Sequence, residues 1–274
     1  MGFEFWKTST IDQALAQFAK TKMENRQPAY YAGGTEILTL QRIQQLSIDV
    51  AIDIKDIPAC LVHQLKEDYL VYGSCLTLTE IEDQNHFPLL TDICKEIADH
   101  TARNKITVGG NICGAIFYRE AVLPFLLTDS ILVLAGKNGL RTEYIHDVFH
   151  EQLQLQNGEL FVQAFIEKRY ISGEYIAIKV RQQWETGYPL ITIAALEIDG
   201  EIRMAFSGLC PYPFRSITLE NIMNNRMLSR QERIDQIVNH LPAPILNDVE
   251  GSEEYRIFVL TDLLEKVIAR LEVD

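Results

Sequence analysis

No apolar run in the 274 residues approaches the roughly 20 needed to cross a bilayer, and the longest are the length of strands. The opening MGFEFWKTST lacks the charged-then-apolar order of a secretory leader. No basic stripe relieves the net charge of −13, so the electrostatic footprint of a nucleic-acid binder is missing. The acidic balance favours solubility and names no partner. Cys60, Cys75, Cys94, Cys113 and Cys210 never fall at CxxC spacing. Neither a disulfide framework nor a zinc or iron–sulfur site of its own is expected. A reduced, cytoplasmic protein is the default expectation. The six histidines show no HExxH motif, and the one His-x-x-x-His pair, His146 and His150, has no further ligand pattern around it, so no metal site is expected. No Ser-His-Asp arrangement stands out, and no catalytic acid, base or nucleophile is nominated.

What is present is a globular composition, 47% apolar and 23% charged. The length suffices for one large domain or two ordinary ones. Residues 10–54 read as helix, strand, glycine turn, helix, strand, the outline of a right-handed crossover. Short strands follow in CLVHQL and YLVYGSC, then a capped helix in TLTEIED and one long helix over FPLLTDICKEIADHTA. A helix in EAVLPFLLTDS and strands in ILVLAG and LRTEYIH lead to a polar break at residues 155–159. From about residue 168 the pattern changes. GEYIAIKVRQQ, LITIAALEID and EIRMAFSGLC are three strands, with IDGE as a hairpin signal. Three helical stretches close the chain. In the last, Ile257, Leu260, Leu264, Val267 and Leu271 form an apolar stripe. The expected organisation is a mixed α/β unit over 1–167, divided near residue 54, and a smaller α+β unit over 168–274 with a three-stranded antiparallel sheet plus helices.

Two glycine pairs carry the chemistry. YYAGGTEILTLQ (30–41) and KITVGGNICGA (105–115) each place Gly-Gly before a helix-like stretch. Glycine takes positive φ and lets a ligand approach the backbone. Amides at a helix start converge on one point and favour phosphate oxygens. Ala32, Gly33, Gly34 and Thr35 fit such a nest, with the amides of Glu36 and Ile37 behind. Thr107, Gly109, Gly110 and Asn111 offer the same equipment. Each pair alone reads first as a tight turn. Neither has the GxGxxG spacing or the Gly-Lys-Ser/Thr of a Walker loop. Tyr31 adjoins the first nest; Arg103 is a candidate to lend charge to the diphosphate or a solvated helix end, and Lys105 reads first as a solvated helix end. Tyr188 and Trp184 are aromatic candidates for shielding a ring, or core residues.

YAGGTEIL and ARNKITVGGNICGA together resemble the FAD-binding subunit of the molybdenum hydroxylases, the family of xanthine dehydrogenase and carbon monoxide dehydrogenase. The resemblance extends over essentially the whole chain, including GEYIAIKVRQQ and SGLCPYPFRSITLE. It implies an FAD-binding domain of two subdomains, of the vanillyl-alcohol-oxidase-like (PCMH) type, then the family's smaller C-terminal domain. It implies a diphosphate on residues 32–37, with Tyr31 beside it. Thr107, Gly109, Gly110, Asn111 and Cys113 would form a second wall. Glu120 stands where the family usually has Asp, and AIFYRE replaces the usual ASPxxD. Lys179 matches a basic position near the flavin. The implied function is electron transfer from iron–sulfur clusters through FAD to NAD⁺ or another acceptor. Molybdopterin and 2Fe-2S clusters would lie on partner large and small subunits, in a dimer of heterotrimers acting on a purine such as xanthine. A stand-alone FAD oxidase and a flavin-free regulatory or assembly protein that keeps the fold are the alternatives.

Overall fold

The computed structural model describes residues 3–182 and 187–272. The chain begins with β1 (Glu4–Lys7), α1 (Ile11–Met23), β2 (Pro28–Tyr31), α2 (Thr35–Arg42) and β3 (Val50–Asp53). The strands form a parallel sheet in the order β1-β3-β2. Thr10 caps α1 by accepting from the Gln13 amide. Ala14 packs with Val50, Ile52 and Ile54, so α1 covers one face of the sheet. By the twofold alternation of strands, Phe5 and Tyr31 belong to the other face, where their rings meet edge to face at 5.3 Å. β1 has no counterpart in the sequence reading. All four of its residues are exposed, so no buried alternation marked it.

A second, antiparallel sheet follows. Its strands are β4 (His63–Leu65), β5 (Tyr69–Gly73), β6 (Ile131–Gly136), β7 (Gly139–Tyr144) and, entering later, β10 (Leu160–Glu167). The order is β4-β5-β10-β6-β7. No strand is expected between the polar break at residues 155–159 and residue 168, yet β10, the central strand, lies there. Its residues 160–162 are all buried, so the first half shows a plain apolar run and no alternation. Between β5 and β6 lie α3 (Leu78–Gln84), α4 (Pro88–Lys95), α5 (His100–Arg103), α6 (Val108–Cys113) and α7 (Leu123–Leu127). The capping box on α3 pairs Thr77 with Glu80. The single long helix expected over residues 87–102 is instead α4 and α5, broken where Ala98 takes φ +52° and Asp99 caps the next turn. α8 (Ile145–Val148) and the hairpin β8 (Phe149–His150) and β9 (Gln152–Leu153) complete this region. Among the described residues no helix is long and apolar enough to cross a membrane.

The third sheet holds β11 (Tyr175–Arg181), β12 (Pro189–Ile198), β13 (Glu201–Ser207) and β14 (Phe214–Arg215), in that order and antiparallel. It therefore has four strands where three were expected; a two-residue strand is too short to leave a period. α9 (Ile217–Met223), α10 (Arg230–Asn239) and α11 (Glu253–Leu271) follow. Ile191, Ile193, Met204 and Phe206 pack on these helices, against Leu260, Leu264 and Val267. The other face turns Ala194, Leu196 and Ala205 into the core of the preceding region. The same face carries polar residues at its two ends, and these meet the first half of the chain.

At one end Asp129, just after α7, bonds Arg203 Nη1 at 2.6 Å and Arg215 Nη1 at 2.6 Å. Arg215 also forks onto Glu220. Burial works against the Asp129 carboxylate, but Arg215 and Arg203 outweigh it and hold its pKa below the ordinary aspartate value. A depressed carboxylate stabilises the fold fully above its unfolded pKa of about 3.9 and loses that contribution as pH falls through the folded pKa. Asp129→Asn is expected to cost about 2 kcal/mol at neutral pH, discounted for the carboxylate's partial exposure. Thermal melts should show the gap from wild type closing below about pH 4. A gap that is constant with pH would deny the ion network this role.

Candidate functional site

The first glycine pair links β2 to α2. Gly34 sits at φ +70° as the N-cap of α2, and no side chain caps the helix. Among the described residues no acceptor is recorded for the amides of residues 33–37; the first bond of the helix is Leu38 N–H to Gly34 O at 3.0 Å. A row of donors at the positive end of a helix is thus left open. Gly33 lies against the second loop: a Cβ there would stand 1.7 Å from the Lys105 carbonyl oxygen. The Tyr31 ring covers Gly34, whose Cβ would come within 2.3 Å of it.

Lys55 completes this corner and was not singled out from the sequence. Its ammonium donates to Asp53 Oδ1 at 2.7 Å and to Ala32 O at 3.2 Å. It also lies 4.8 Å from the Tyr31 ring centroid. Only the β2–β3 register, which pairs Tyr31 with Asp53, brings residues so distant in sequence to one place.

The second pair is built differently. Thr107 caps α6 by accepting from Gly110 N–H at 3.1 Å. Val108 N–H donates to Leu76 O and Gly109 N–H to Ser74 O, both at 2.9 Å. These amides are occupied, so the expectation of equal equipment in both loops is corrected. The second loop braces; the first presents free donors. Gly109 is required by closeness, since a Cβ would lie 2.6 Å from Ser74 O. Asn111 Oδ1 accepts from Ala121 N–H at 3.1 Å and so fixes the segment after the loop. Cys113 is exposed. Arg103 is turned away, held by Glu82 and the Ala98 carbonyl. Lys105 contributes its backbone carbonyl to the contact with Gly33.

Glu36, in the first turn of α2, reaches across. Its carboxylate accepts from Ala115 N–H at 3.1 Å and Ile116 N–H at 2.8 Å. Arg119, which is buried, donates Nη1 to Gly114 O at 3.0 Å and Nη2 to Glu151 O. Burial lowers the Arg119 pKa, with Glu36 opposing.

Glu120 and Lys179 are brought together at the other polar end of the third sheet. Their side chains are 4% and 3% exposed and bond at 2.7 Å. Thr192 Oγ1 donates to the second oxygen of Glu120, and Lys179 donates also to Glu96 O at 2.8 Å. Burial lowers the Lys179 pKa from its ordinary value, against the pull of Glu120. Two of the three ammonium donors are used in these bonds. Nearby, Tyr118 stacks on Tyr188 at 4.7 Å; Trp184 lies outside the described residues. A cleft of about 560 Å³ lined by residues including Asp129, His150, Tyr212 and Arg215 shares no residue with either loop.

Residues 1–166 match the family model described as the FAD binding domain in molybdopterin dehydrogenase. The chain is similar to the xanthine dehydrogenase FAD-binding subunit of Escherichia coli, 27% identical over 97% of this chain and 94% of that one. It is similar also to the nicotine 6-hydroxylase medium subunit of Paenarthrobacter nicotinovorans, 23% identical over 86% and 87%. Among solved structures, a chain of carbon monoxide dehydrogenase from Hydrogenophaga pseudoflava superposes with a TM-score of 0.87 at 20% identity, covering 99% of this chain and 97% of that one.

Proposed function

The chain belongs to the FAD-binding domain family of the molybdopterin dehydrogenases, and from that premise we propose that it is the FAD-carrying medium subunit of a molybdenum hydroxylase, acting on a purine such as xanthine. The observation that carries the reading is the open row of amides at residues 33–37, backed by a loop whose own amides are spent. A diphosphate needs several donors from one side. The row supplies the donors, and Lys55, ion-paired with Asp53, stands beside Ala32.

In this reading the diphosphate lies on Ala32, Gly33, Gly34, Thr35 and the amides of Glu36 and Ile37, with Tyr31 alongside. Thr107, Gly109, Gly110, Asn111 and Cys113 form the opposing wall. Bound there, FAD supplies one- and two-electron chemistry that no side chain of this protein provides. The chain's own residues orient it and set the local field. Lys179, buried and paired with Glu120, would act on an electron-rich ring through the local field rather than by direct contact. Glu120 holds that ammonium in place, which differs from a direct contact to flavin hydroxyls.

Substrate oxidation then belongs to a molybdopterin-bearing large subunit, and a small 2Fe-2S subunit delivers the electrons. The acceptor is NAD⁺ or another oxidant. The xanthine dehydrogenase relative supports the purine assignment, and the medium-subunit relative supports the assembly. The test is the visible spectrum of the purified chain after FAD is added. Flavin bands that survive desalting are expected. A colourless chain that binds no FAD overturns the reading and leaves a flavin-free assembly role. Co-expression with the large and small chains checks the complex by co-purification.

A further inference from the structure

α2 is held unusually lightly for a helix that presents donors to a ligand. None of its eight residues is buried. Its N-cap is a glycine without a capping side chain, and Leu38 and Ile43 on and beside it are 45% and 50% exposed. Apolar packing therefore does not fix where its first turn points.

One side chain does. Glu36 accepts from two consecutive amides, Ala115 and Ile116, which lie 79 and 80 residues further along. Both oxygens are used, one for each amide. Gly114 makes room for the approach, because a Cβ there would stand 2.6 Å from Glu36 Oε2. The carboxylate sits beside the positive end of α2, where a negative charge is favourable. Arg119 binds the Gly114 carbonyl from behind and offsets the charge. That offset matters, since an uncompensated carboxylate beside the free amides would repel an anionic ligand.

We propose that Glu36 is a positioning residue: its carboxylate ties the first turn of α2 to residues 114–116, and so sets the open amides of residues 33–37 against the second loop. This rests on the reading of those amides as the diphosphate seat. The tie explains how a helix with no buried residue holds a ligand-binding geometry. It also assigns the Glu36 side chain a role apart from its backbone amide.

Three variants of the full chain test it: Glu36→Ala, Glu36→Gln and Glu36→Asp. Amide hydrogen exchange is measured without FAD, FAD affinity by titration, and the diphosphate environment by ³¹P resonance of bound FAD. Glu36→Ala should speed exchange at residues 35–40 and 115–118 and weaken FAD about 10- to 100-fold, as expected for two lost bonds to a charged acceptor. The melting temperature of the flavin-free chain should stay within about 2 °C, because no core is touched. Glu36→Gln keeps one acceptor and should recover part of the affinity, with shifted ³¹P signals. Glu36→Asp is too short to span the gap and should resemble Ala. Unchanged exchange with affinity within about twofold of wild type overturns the proposal. A wild-type chain that binds no FAD, with exchange still loosened in Glu36→Ala, supports the tie and overturns the flavin reading alone.

Discussion

Gly33→Ala will deprive the chain of its flavin. A Cβ at residue 33 would lie 1.7 Å from the Lys105 carbonyl oxygen and 2.7 Å from its carbon. Both are backbone atoms, so no rotamer change relieves the clash. Ordinary contact requires the two loops to part by roughly 1.5 Å or more. That shift separates the open amides of residues 33–37 from the wall opposite them. FAD affinity should fall by more than about 100-fold, since misplacement by an ångström is costly where several donors must converge. Gly110→Ala is the control. Its Cβ would meet only the Thr107 hydroxyl, at 2.8 Å, and a hydroxyl can turn aside. A loss within about tenfold is expected there. The check is a fluorescence titration of each variant with FAD, and wild-type affinity in Gly33→Ala would remove the clash from the account.

The largest effect on stability is expected from Lys179→Met. Glu120 and Lys179 are almost wholly out of water. Methionine fills similar space but leaves the Glu120 carboxylate with only Thr192 as a side-chain donor. Removing one partner of a buried pair costs about 3–5 kcal/mol. For a chain of this size that lowers the melting temperature by about 10 °C. Lys179→Met with Glu120→Gln should recover much of the loss, because the stranded charge is gone. Calorimetry of the two variants in the flavin-free state decides it. Equal melting temperatures for wild type and Lys179→Met would show that the pair contributes no more than an exposed one.

Much of this architecture was legible from periodicity. The C-terminal strands and helices stand where the alternation and the 3.6-residue stripe put them, and Leu260, Leu264, Val267 and Leu271 are buried. The elements that escaped share a physical reason. β1 is exposed on every residue, and the start of β10 is buried on both faces, so neither shows a period of two. The two glycine pairs were visible as motifs. Their inequality was not, because it depends on Ser74 and Leu76, which take the amides of Gly109 and Val108 through tertiary pairing. Lys55 and the side chain of Glu36 escaped for the same reason: their partners lie 23 and about 80 residues away. Arg103 carried a misleading signal, since its charge belongs to Glu82.

The unequal mounting of the two loops also bears on how a cofactor gets in and out. The loop around Gly109 is stitched to the end of β5 and inherits the rigidity of a five-stranded sheet. The loop around Gly33 rides on a helix with no buried residue. One jaw is therefore held by the sheet, and the other by the Glu36 bonds to residues 115 and 116. Loading and release of a dinucleotide would proceed by yielding on the α2 side alone, with the sheet-bound side serving as the template against which it closes.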